Sequence, residues 1–330
     1  MTRELIDSFG RRISYVRLSV TDRCDFRCRY CMAEEMQFRP SSELLRFDEI
    51  EALVDLLIAR GVSKLRLTGG EPLVRRGILD LIERLGTRVG QGLDELTLTT
   101  NGSQLASAAE SLARSGVRRI NVSLDSLDPD RFAHVTRRGR LEQVLAGIAA
   151  ARAAGLAVKI NMVALKGLNE DEIEPMLRWC GSLGFELTLI ETMPLGGIEE
   201  ERAAHYLPLD GVKRALEKRF TLVPSLARTG GPARYFDVAE LGVRLGFITP
   251  ISDNFCAGCN RIRVTATGTV YGCLGHDQNV ELRDLIRAGG GAAVEAALDR
   301  LLAGKPEGHD FRIAAEAPPA LARHMSVTGG

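Results

Sequence analysis

Two periodicities of apolar residues alternate along the first two thirds of the chain. Six stretches alternate apolar and polar positions as strands do, and each is followed by apolar residues at helical spacing. The predicted strands span residues 13–20, 64–68, 95–100, 119–124, 157–165 and 186–191, and the predicted helices span 47–60, 76–85, 104–115, 141–154, 170–183 and 211–219. Repeated strand–helix units imply parallel strands joined by right-handed crossovers. Six units are two fewer than a full (β/α)8 barrel contains, so the pattern predicts an α/β fold, a partial (β/α)6 barrel of TIM type with an open side.

A different rhythm begins near residue 221. Short predicted strands at 243–249, 261–265 and 269–271 alternate with Gly-rich turns, and helices are predicted at 280–287 and 292–302. We therefore predict a barrel over residues 1–225 and a C-terminal α+β region over residues 226–330.

Composition and charge exclude several functions. The 43 basic residues balance 43 acidic ones, so no global field attracts nucleic acid or a membrane surface. No apolar run approaches the roughly 18 residues of a membrane span, and the first residues resemble no signal peptide, which favours a cytoplasmic protein. Six of the seven cysteines fall in two tight groups, which in a reducing compartment indicates metal ligation rather than disulfides; Cys180 stands alone on a helical pattern and is predicted to be a core residue.

The first cysteine group directly follows the first strand. Cys24, Cys28 and Cys31 could each bind one iron of a four-iron cluster and leave the fourth iron open for chemistry. A zinc knuckle, with Asp22 or a distant His as its fourth ligand, is the alternative interpretation.

Polar residues recur where the other predicted strands end, and in this architecture those ends share one rim. They occur at positions 69–71, 99–102, 123–126, 159–161 and 191–193. Gly69 and Gly70 allow close backbone approach, and Glu71 offers an acceptor for an ammonium group.

The second group, Cys256, Cys259 and Cys273, fits two kinds of centre. His276 could complete a Cys3His zinc site, and an iron–sulfur cluster fits the spacing equally well. Arg261 and Arg263 follow at alternating positions, so both point to one face of a strand.

Several cationic or hydroxyl side chains lie within the predicted strands. Paired guanidinium groups suit phosphate, although a solvated charged face would also place Arg261 and Arg263 in this way. Arg17, Arg66 and Lys159 lie among apolar neighbours and need partners, either an internal carboxylate or a polyphosphate to which Thr99 could also donate.

The cysteine spacing, with Tyr30 before the last cysteine, resembles the signature of the radical S-adenosylmethionine family. The Gly-Gly-Glu-Pro segment at 69–72 is similar to that family's cofactor-binding motif. The segments at 22–32, 67–72, 99–102, 121–126 and 255–261 and the terminal Gly-Gly resemble the GTP-cyclising branch, which acts in molybdenum cofactor biosynthesis.

The resemblance implies two [4Fe-4S] clusters, S-adenosyl-L-methionine (SAM) as cofactor and GTP as substrate. Tyr30, Gly70, Glu71, Ser123 and Met193 would contact the cofactor, whereas Arg17, Arg66, Thr99, Lys159, Arg261 and Arg263 would contact GTP. The first cluster would generate a 5′-deoxyadenosyl radical that abstracts the ribose 3′ hydrogen. The second cluster would bind guanine through its open iron while the carbon radical closes onto C8.

The same resemblance implies further partners and a role for the C-terminus. It predicts an external electron donor, a homodimer and a downstream enzyme, cyclic pyranopterin monophosphate synthase. Gly329 and Gly330 would enter the pocket and assist catalysis, although Thr328 stands where an apolar residue is common.

Two other functions fit parts of the pattern. A peptide-modifying radical SAM enzyme with an auxiliary cluster would share the cysteines, but a peptide has no triphosphate for the arginines to neutralise. A metal-dependent RNA-binding module would share the second group, but the chain has no basic stripe.

Overall fold

A single twelve-stranded sheet organises the chain in the computed structural model, which describes residues 4–198, 202–227, 229–314 and 317–329. The strands are β1 (Tyr15–Ser19), β2 (Lys64–Thr68), β3 (Glu95–Thr100), β4 (Arg119–Ser123), β5 (Ala157–Val163), β6 (Glu186–Ile190), β7 (Leu222–Pro224), β8 (Arg234–Val238), β9 (Val243–Ile248), β10 (Arg261–Val264), β11 (Thr269–Tyr271) and β12 (Asn279–Glu281). Their order is β12-β11-β10-β1-β2-β3-β4-β5-β6-β9-β8-β7.

The central strands β1 to β6 are parallel and follow chain order, as the predicted partial barrel requires. The helices are α1 (Phe47–Ala59), α2 (Ile78–Gly86), α3 (Leu105–Arg114), α4 (Pro129–Thr136), α5 (Leu141–Ala153), α6 (Ile173–Leu183), α7 (Arg202–His205), α8 (Leu209–Glu217), α9 (Arg283–Arg287), α10 (Gly291–Ala303) and α11 (Met325–Thr328). The predicted fold class is therefore confirmed.

The C-terminal region extends both edges of this sheet. Strand β10 pairs in parallel with β1 at one edge, and β9 pairs in parallel with β6 at the other. The outer strands β7, β8, β11 and β12 add antiparallel pairs, and the terminal strands β7 and β12 do not pair with each other in the described part of the chain. The second cysteine group therefore reaches the barrel strands through β10.

Local prediction failed where short elements depend on their neighbours. The helix predicted at 280–287 is wrong in its first residues, because residues up to Glu281 pair with β11 as β12 and only Arg283–Arg287 is helical. The prediction also lacked α4, although Pro129 at its first turn and the Asp128 side chain, which accepts from Arg131 N at 2.8 Å, are start signals.

Both faces of the central strands are buried, as is usual for parallel sheets. In β1, the side chains of Val16 and Leu18 join the main hydrophobic core with helix residues such as Leu53. The alternate residues Tyr15 and Arg17 point to the opposite face of the sheet, which we call the inner face. Cys180 belongs to this core, as predicted. The described residues contain no helix long and apolar enough to cross a membrane.

Candidate active site

One cavity of about 260 Å³ brings together most of the predicted site residues. Its lining includes Cys24, Cys28, Cys31, Tyr30, Gly70, Ser123, Met193, Arg17, Arg66, Thr99, Lys159, Arg261, Arg263, Cys256, Cys259 and Cys273. Glu71 and Gly329 do not line it, and Gly330 lies outside the described residues. Both cysteine groups and the strand cations therefore face the same space.

The first cysteine loop is held by backbone contacts rather than by regular structure. Cys31 N donates to Cys28 O at 2.9 Å, and the Arg27 guanidinium donates to Cys24 O at 2.6 Å. Arg29 N donates to Val135 O at 3.0 Å, which joins the loop to α4. The helix that sequence analysis missed thus supports the loop that carries the first group of thiols.

Gly69 and Gly70 are required by the loop that precedes Cys24. A Cβ at Gly69 would lie 2.3 Å from Thr21 O, and one at Gly70 would lie 2.3 Å from Arg23 O. Gly70 N donates to Thr21 O at 2.9 Å, and the next residue's N–H donates to Arg23 O at 2.8 Å. The two glycines therefore allow the backbone of this segment to lie close to the cysteine loop itself.

The Glu71 carboxylate is fully buried, and its oxygens accept hydrogen bonds from neighbouring groups of the protein. It accepts from Leu73 N at 3.1 Å, from Thr100 Oγ1 at 2.8 Å and from Asn101 N at 2.6 Å. Asn101 in turn donates to Asp25 at 2.7 Å. Glu71 orients the end of β3 beside the cysteine loop, and its contact with a cofactor stays a prediction.

Tyr30 is fixed by a partner at the end of β4. Its hydroxyl donates to Asp125 Oδ2 at 2.8 Å, and Asp125 Oδ1 accepts from Val163 N at 2.9 Å. Burial raises the pKa of Asp125 to about 6, although its two hydrogen bonds lower it. The network ties the cysteine loop to β4 and β5.

The second group of thiols lies against buried cations. Lys305, which is 2% exposed, donates to Cys259 Sγ at 3.5 Å and to Gly272 O at 2.8 Å. Burial alone would raise the pKa of Cys259, but Arg261 and Lys305 outweigh it and lower that pKa to about 7. This environment favours a thiolate, the form that binds metal.

A second cation fixes the loop that carries Cys256. The Arg11 guanidinium donates to the carbonyls of Cys256 at 2.9 Å, Pro306 at 2.6 Å and Glu307 at 2.6 Å. The backbone beside the second thiol group is therefore clamped to the segment after α10.

The donor sets fit four-iron clusters better than zinc. No group of three His, Cys, Asp or Glu side chains in the described ranges is placed to hold one metal ion. His276 Nε2 lies 3.0 Å from Gly308 O, so this ring nitrogen already has a backbone partner. Three thiolates of a four-iron cluster each bind a different iron and need not converge on one point.

A row of guanidinium groups crosses the inner face. Arg263 on β10 lies in register with Arg17 on β1, which lies in register with Arg66 on β2. In the described parts of the chain, none of the three forms an ion pair with a carboxylate, and Nε of Arg17 and of Arg66 are buried without a hydrogen-bond partner. Burial lowers the pKa of Arg66 to about 10; Tyr15 opposes that shift whereas Arg17 adds to it. Such a row has the charge and unused donors that bind a polyanion.

The two buried lysines of the inner face differ from these arginines, because each has an internal partner. Lys159 Nζ lies 2.8 Å from Glu186 and donates to Tyr235 Oη at 2.6 Å. Lys64 Nζ lies 2.5 Å from Glu95 and also donates to Thr229 O. Lys159 therefore has the internal carboxylate that the sequence left open as an alternative.

Sequence reasoning missed several residues of the site. Tyr15 and Lys64 each lie two residues before an arginine, Arg17 and Arg66, and so on the same face of their strands. The alternation along the sequence could have identified them. Tyr235 and Lys305 had no local signal, because only the pairing of β8 and the position of α10 bring them to the site.

The C-terminal tail contributes Met325 and Ser326 to the cavity lining, and its last described residues pack against Arg263 behind that lining. The carbonyls of Thr328 and Gly329 both accept from Arg263 Nη1, the former at 3.2 Å. Thr328 is fully buried, and a Cβ at Gly329 would lie 2.1 Å from Thr68. The tail thus seats against the guanidinium row with Thr328 in place of an apolar residue.

Family comparisons agree with this geometry. Residues 18–180 match the Radical SAM superfamily, and residues 185–311 match Molybdenum Cofactor Synthesis C. The chain is 58% identical over 328 residues to the GTP 3′,8-cyclase of Erythrobacter litoralis strain HTCC2594, covering 99% of each chain. It is 57% identical over 332 residues to the GTP 3′,8-cyclase of Rhizobium meliloti strain 1021, covering 100% of this chain and 95% of the relative.

Solved structures share the fold at low identity. Streptococcus suis SuiB bound to S-adenosylmethionine aligns with a TM-score of 0.60 and 17% identity, over 96% of this chain and 77% of SuiB. Another SuiB structure aligns with a TM-score of 0.61 and 15% identity, over 97% of this chain and 78% of that one. These similarities concern the fold alone.

Proposed function

This chain belongs to the GTP 3′,8-cyclase family within the radical SAM superfamily, and from that premise we propose that it converts GTP to (8S)-3′,8-cyclo-7,8-dihydroguanosine 5′-triphosphate, an early step of molybdenum cofactor biosynthesis. The observation that carries the proposal is the row of Arg263, Arg17 and Arg66, which has no carboxylate partner in the described residues and lies in a cavity lined by both cysteine groups. A peptide has no triphosphate for those guanidinium groups to neutralise.

The first cysteine loop would hold one cluster and the cofactor. Cys24, Cys28 and Cys31 would be its ligands, and Gly70 and Tyr30 line the adjoining space. When bound, the reduced cluster and SAM supply a 5′-deoxyadenosyl radical that removes the 3′ hydrogen of the ribose. Ser123 and Met193, which also line the cavity, would position the cofactor, and the apolar part of the lining would exclude water.

The opposite part of the cavity would hold GTP. Cys256, Cys259 and Cys273 would ligate the second cluster, which would offer an open iron to guanine. Arg17, Arg66, Arg261, Arg263, Thr99 and Lys159 would hold the substrate and its triphosphate. With the base and ribose fixed in this way, the carbon radical at C3′ would close onto C8, and a second electron from the external donor together with one proton would complete the product.

The experiment that tests this function is anaerobic product analysis. Reconstituted protein should contain about eight iron atoms, two four-iron clusters, per chain. With reductant, SAM and GTP it should form the cyclised triphosphate, and Cys28→Ala should abolish SAM cleavage, whereas Cys273→Ala should retain some. Cleavage that yields no cyclised nucleotide, or that is equally stimulated by a peptide, would favour the peptide-modifying alternative.

We assign the tail a catalytic role through Gly329 and Gly330. The seat of Gly329 against Thr68 and the contact of its carbonyl with Arg263 support that assignment. Deleting the two glycines should remove cyclisation while both clusters remain. Normal product formation by the truncated enzyme would refute the tail's role.

The remaining assignments complete the proposal. We place the division between barrel and C-terminal region near residue 225 and the protein in the cytoplasm. An external electron donor would reduce the first cluster, cyclic pyranopterin monophosphate synthase would consume the product, and the enzyme would act as a homodimer.

A further inference from the structure

Tyr15 lies at the centre of the cations of the inner face. It is fully buried on β1, in register with Arg261 on β10 and Lys64 on β2. Its ring lies 5.8 Å from the Arg17 guanidinium carbon, 5.7 Å from that of Arg66 and 5.3 Å from Lys64 Nζ. Three cations within 6 Å of one ring centroid place each of them in cation–π range.

The ring stands where a carboxylate would be expected. Arg17 and Arg66 are buried, and neither forms an ion pair within the residues that the structure describes. Buried charges need partners, and a carboxylate here would compete with an anionic substrate. An aromatic ring stabilises the guanidinium groups through its face, and a neutral phenol adds no full negative charge.

The Tyr15 hydroxyl is itself unsatisfied. It is buried and has no hydrogen-bond partner in the described parts of the chain. Tyr15 does not itself line the cavity, whereas Arg17 and Arg66 do. We propose that Tyr15 is a positioning residue for the triphosphate, whose ring holds the surrounding cations in place and whose buried phenol acts on the anion through them. This inference rests on the proposed function and adds a residue to its substrate site.

The charge state of this phenol gives the proposal a specific readout. Burial by itself would raise the pKa of Tyr15, but Arg66, Arg17, Lys64 and Arg261 outweigh it and lower that pKa from 10.0 to about 7. With a pKa of about 7, the neutral phenol dominates well below pH 7, and the phenolate, which repels a bound triphosphate, dominates well above it. Triphosphate binding should therefore raise this pKa, take up a proton above pH 7 and weaken as the pH rises.

The charged groups that face Tyr15 come from three strands. They are Arg17 on β1, Lys64 and Arg66 on β2, and Arg261 and Arg263 on β10. Strand β3 adds Glu95, which pairs with Lys64 at 2.5 Å. Cys259, beside Arg261, also has its pKa lowered to about 7, so only the comparison with Tyr15→Phe assigns the pH dependence to the phenol.

The test measures GTP binding to the reconstituted, SAM-loaded enzyme without reductant, so that no turnover occurs. Anaerobic titration calorimetry in buffers of different ionisation enthalpy should show proton uptake by the wild type at pH 8. Its Kd for GTP should rise by up to about fivefold between pH 7 and pH 8, the limit for one group that titrates near pH 7. Tyr15→Phe should bind without this uptake and with a flatter pH profile, and Tyr15→Leu should bind about tenfold more weakly at pH 6.5 because the ring is lost.

Tyr271→Phe is the matched control, since that ring contacts a cation, Arg323 at 4.1 Å, which the proposal does not place at the triphosphate. It should match the wild type at every pH. If the wild type binds and cyclises GTP while Tyr15→Phe shows the same proton uptake and pH profile, the inference alone is overturned. If the wild type binds no GTP, the proposed function fails and the inference fails with it.

Discussion

Gly70→Ala should detach the first cysteine loop while leaving the second thiol group intact. The new Cβ would lie 2.3 Å from Arg23 O and 2.7 Å from Asp22 O, both backbone atoms of the segment that leads into Cys24. Contacts under 3.0 Å are essentially never seen for real Cβ atoms, so the loop must move.

The magnitude follows from two contributions. Overpacking against backbone costs about 1–3 kcal/mol, and each of the two hydrogen bonds between residues 70–71 and the loop contributes about 1 kcal/mol. The sum, about 3–5 kcal/mol, is a large part of the 5–15 kcal/mol by which a domain is usually stable. Because the loop has no regular secondary structure, moving it relieves the clash without unfolding the sheet.

The assay is iron content and SAM cleavage after anaerobic reconstitution. We expect iron to fall from about eight to about four atoms per chain and reductive cleavage to be lost, while the spectroscopic signal of the second cluster remains. Gly211→Ala is the control, because this exposed position in α8 has open space around it and should gain about 0.5–1 kcal/mol of stability. Full iron content and near-normal cleavage in Gly70→Ala would refute the reasoning.

Two further substitutions test the cationic parts of the cavity. Lys305→Met removes a buried cationic donor to Cys259 and should lower the midpoint potential of the second cluster by about 60 mV or more. A redox titration followed by electron paramagnetic resonance measures this potential, and Lys305→Arg, which keeps the charge, should shift it less. An unchanged potential in Lys305→Met would contradict this role. Arg66→Met removes a buried guanidinium that has no carboxylate partner in the described residues. The variant should therefore unfold at a temperature a few degrees higher and bind GTP about 10- to 100-fold more weakly. Lower stability with unchanged affinity for GTP would show that Arg66 is structural.

The chemistry of the protein was readable from local sequence. The spacing of Cys24, Cys28 and Cys31 and the alternation of strand and helix periods predicted a cluster at the mouth of a partial barrel. These signals are short-range, because a thiol spacing or an apolar period depends only on residues close in the chain. The strand positions of Arg17 and Arg66 likewise identified buried cations before their neighbours were known.

Tertiary structure decided what each of these residues contacts. Only strand order places Arg263 beside Arg17, and only side-chain packing gives Lys159 an internal carboxylate while leaving Arg66 without one in the described residues. The same holds for Tyr15, which reads as an ordinary strand aromatic until β2 and β10 surround it with cations. Register and counter-charge depend on which distant strands pair, and no local pattern encodes that choice.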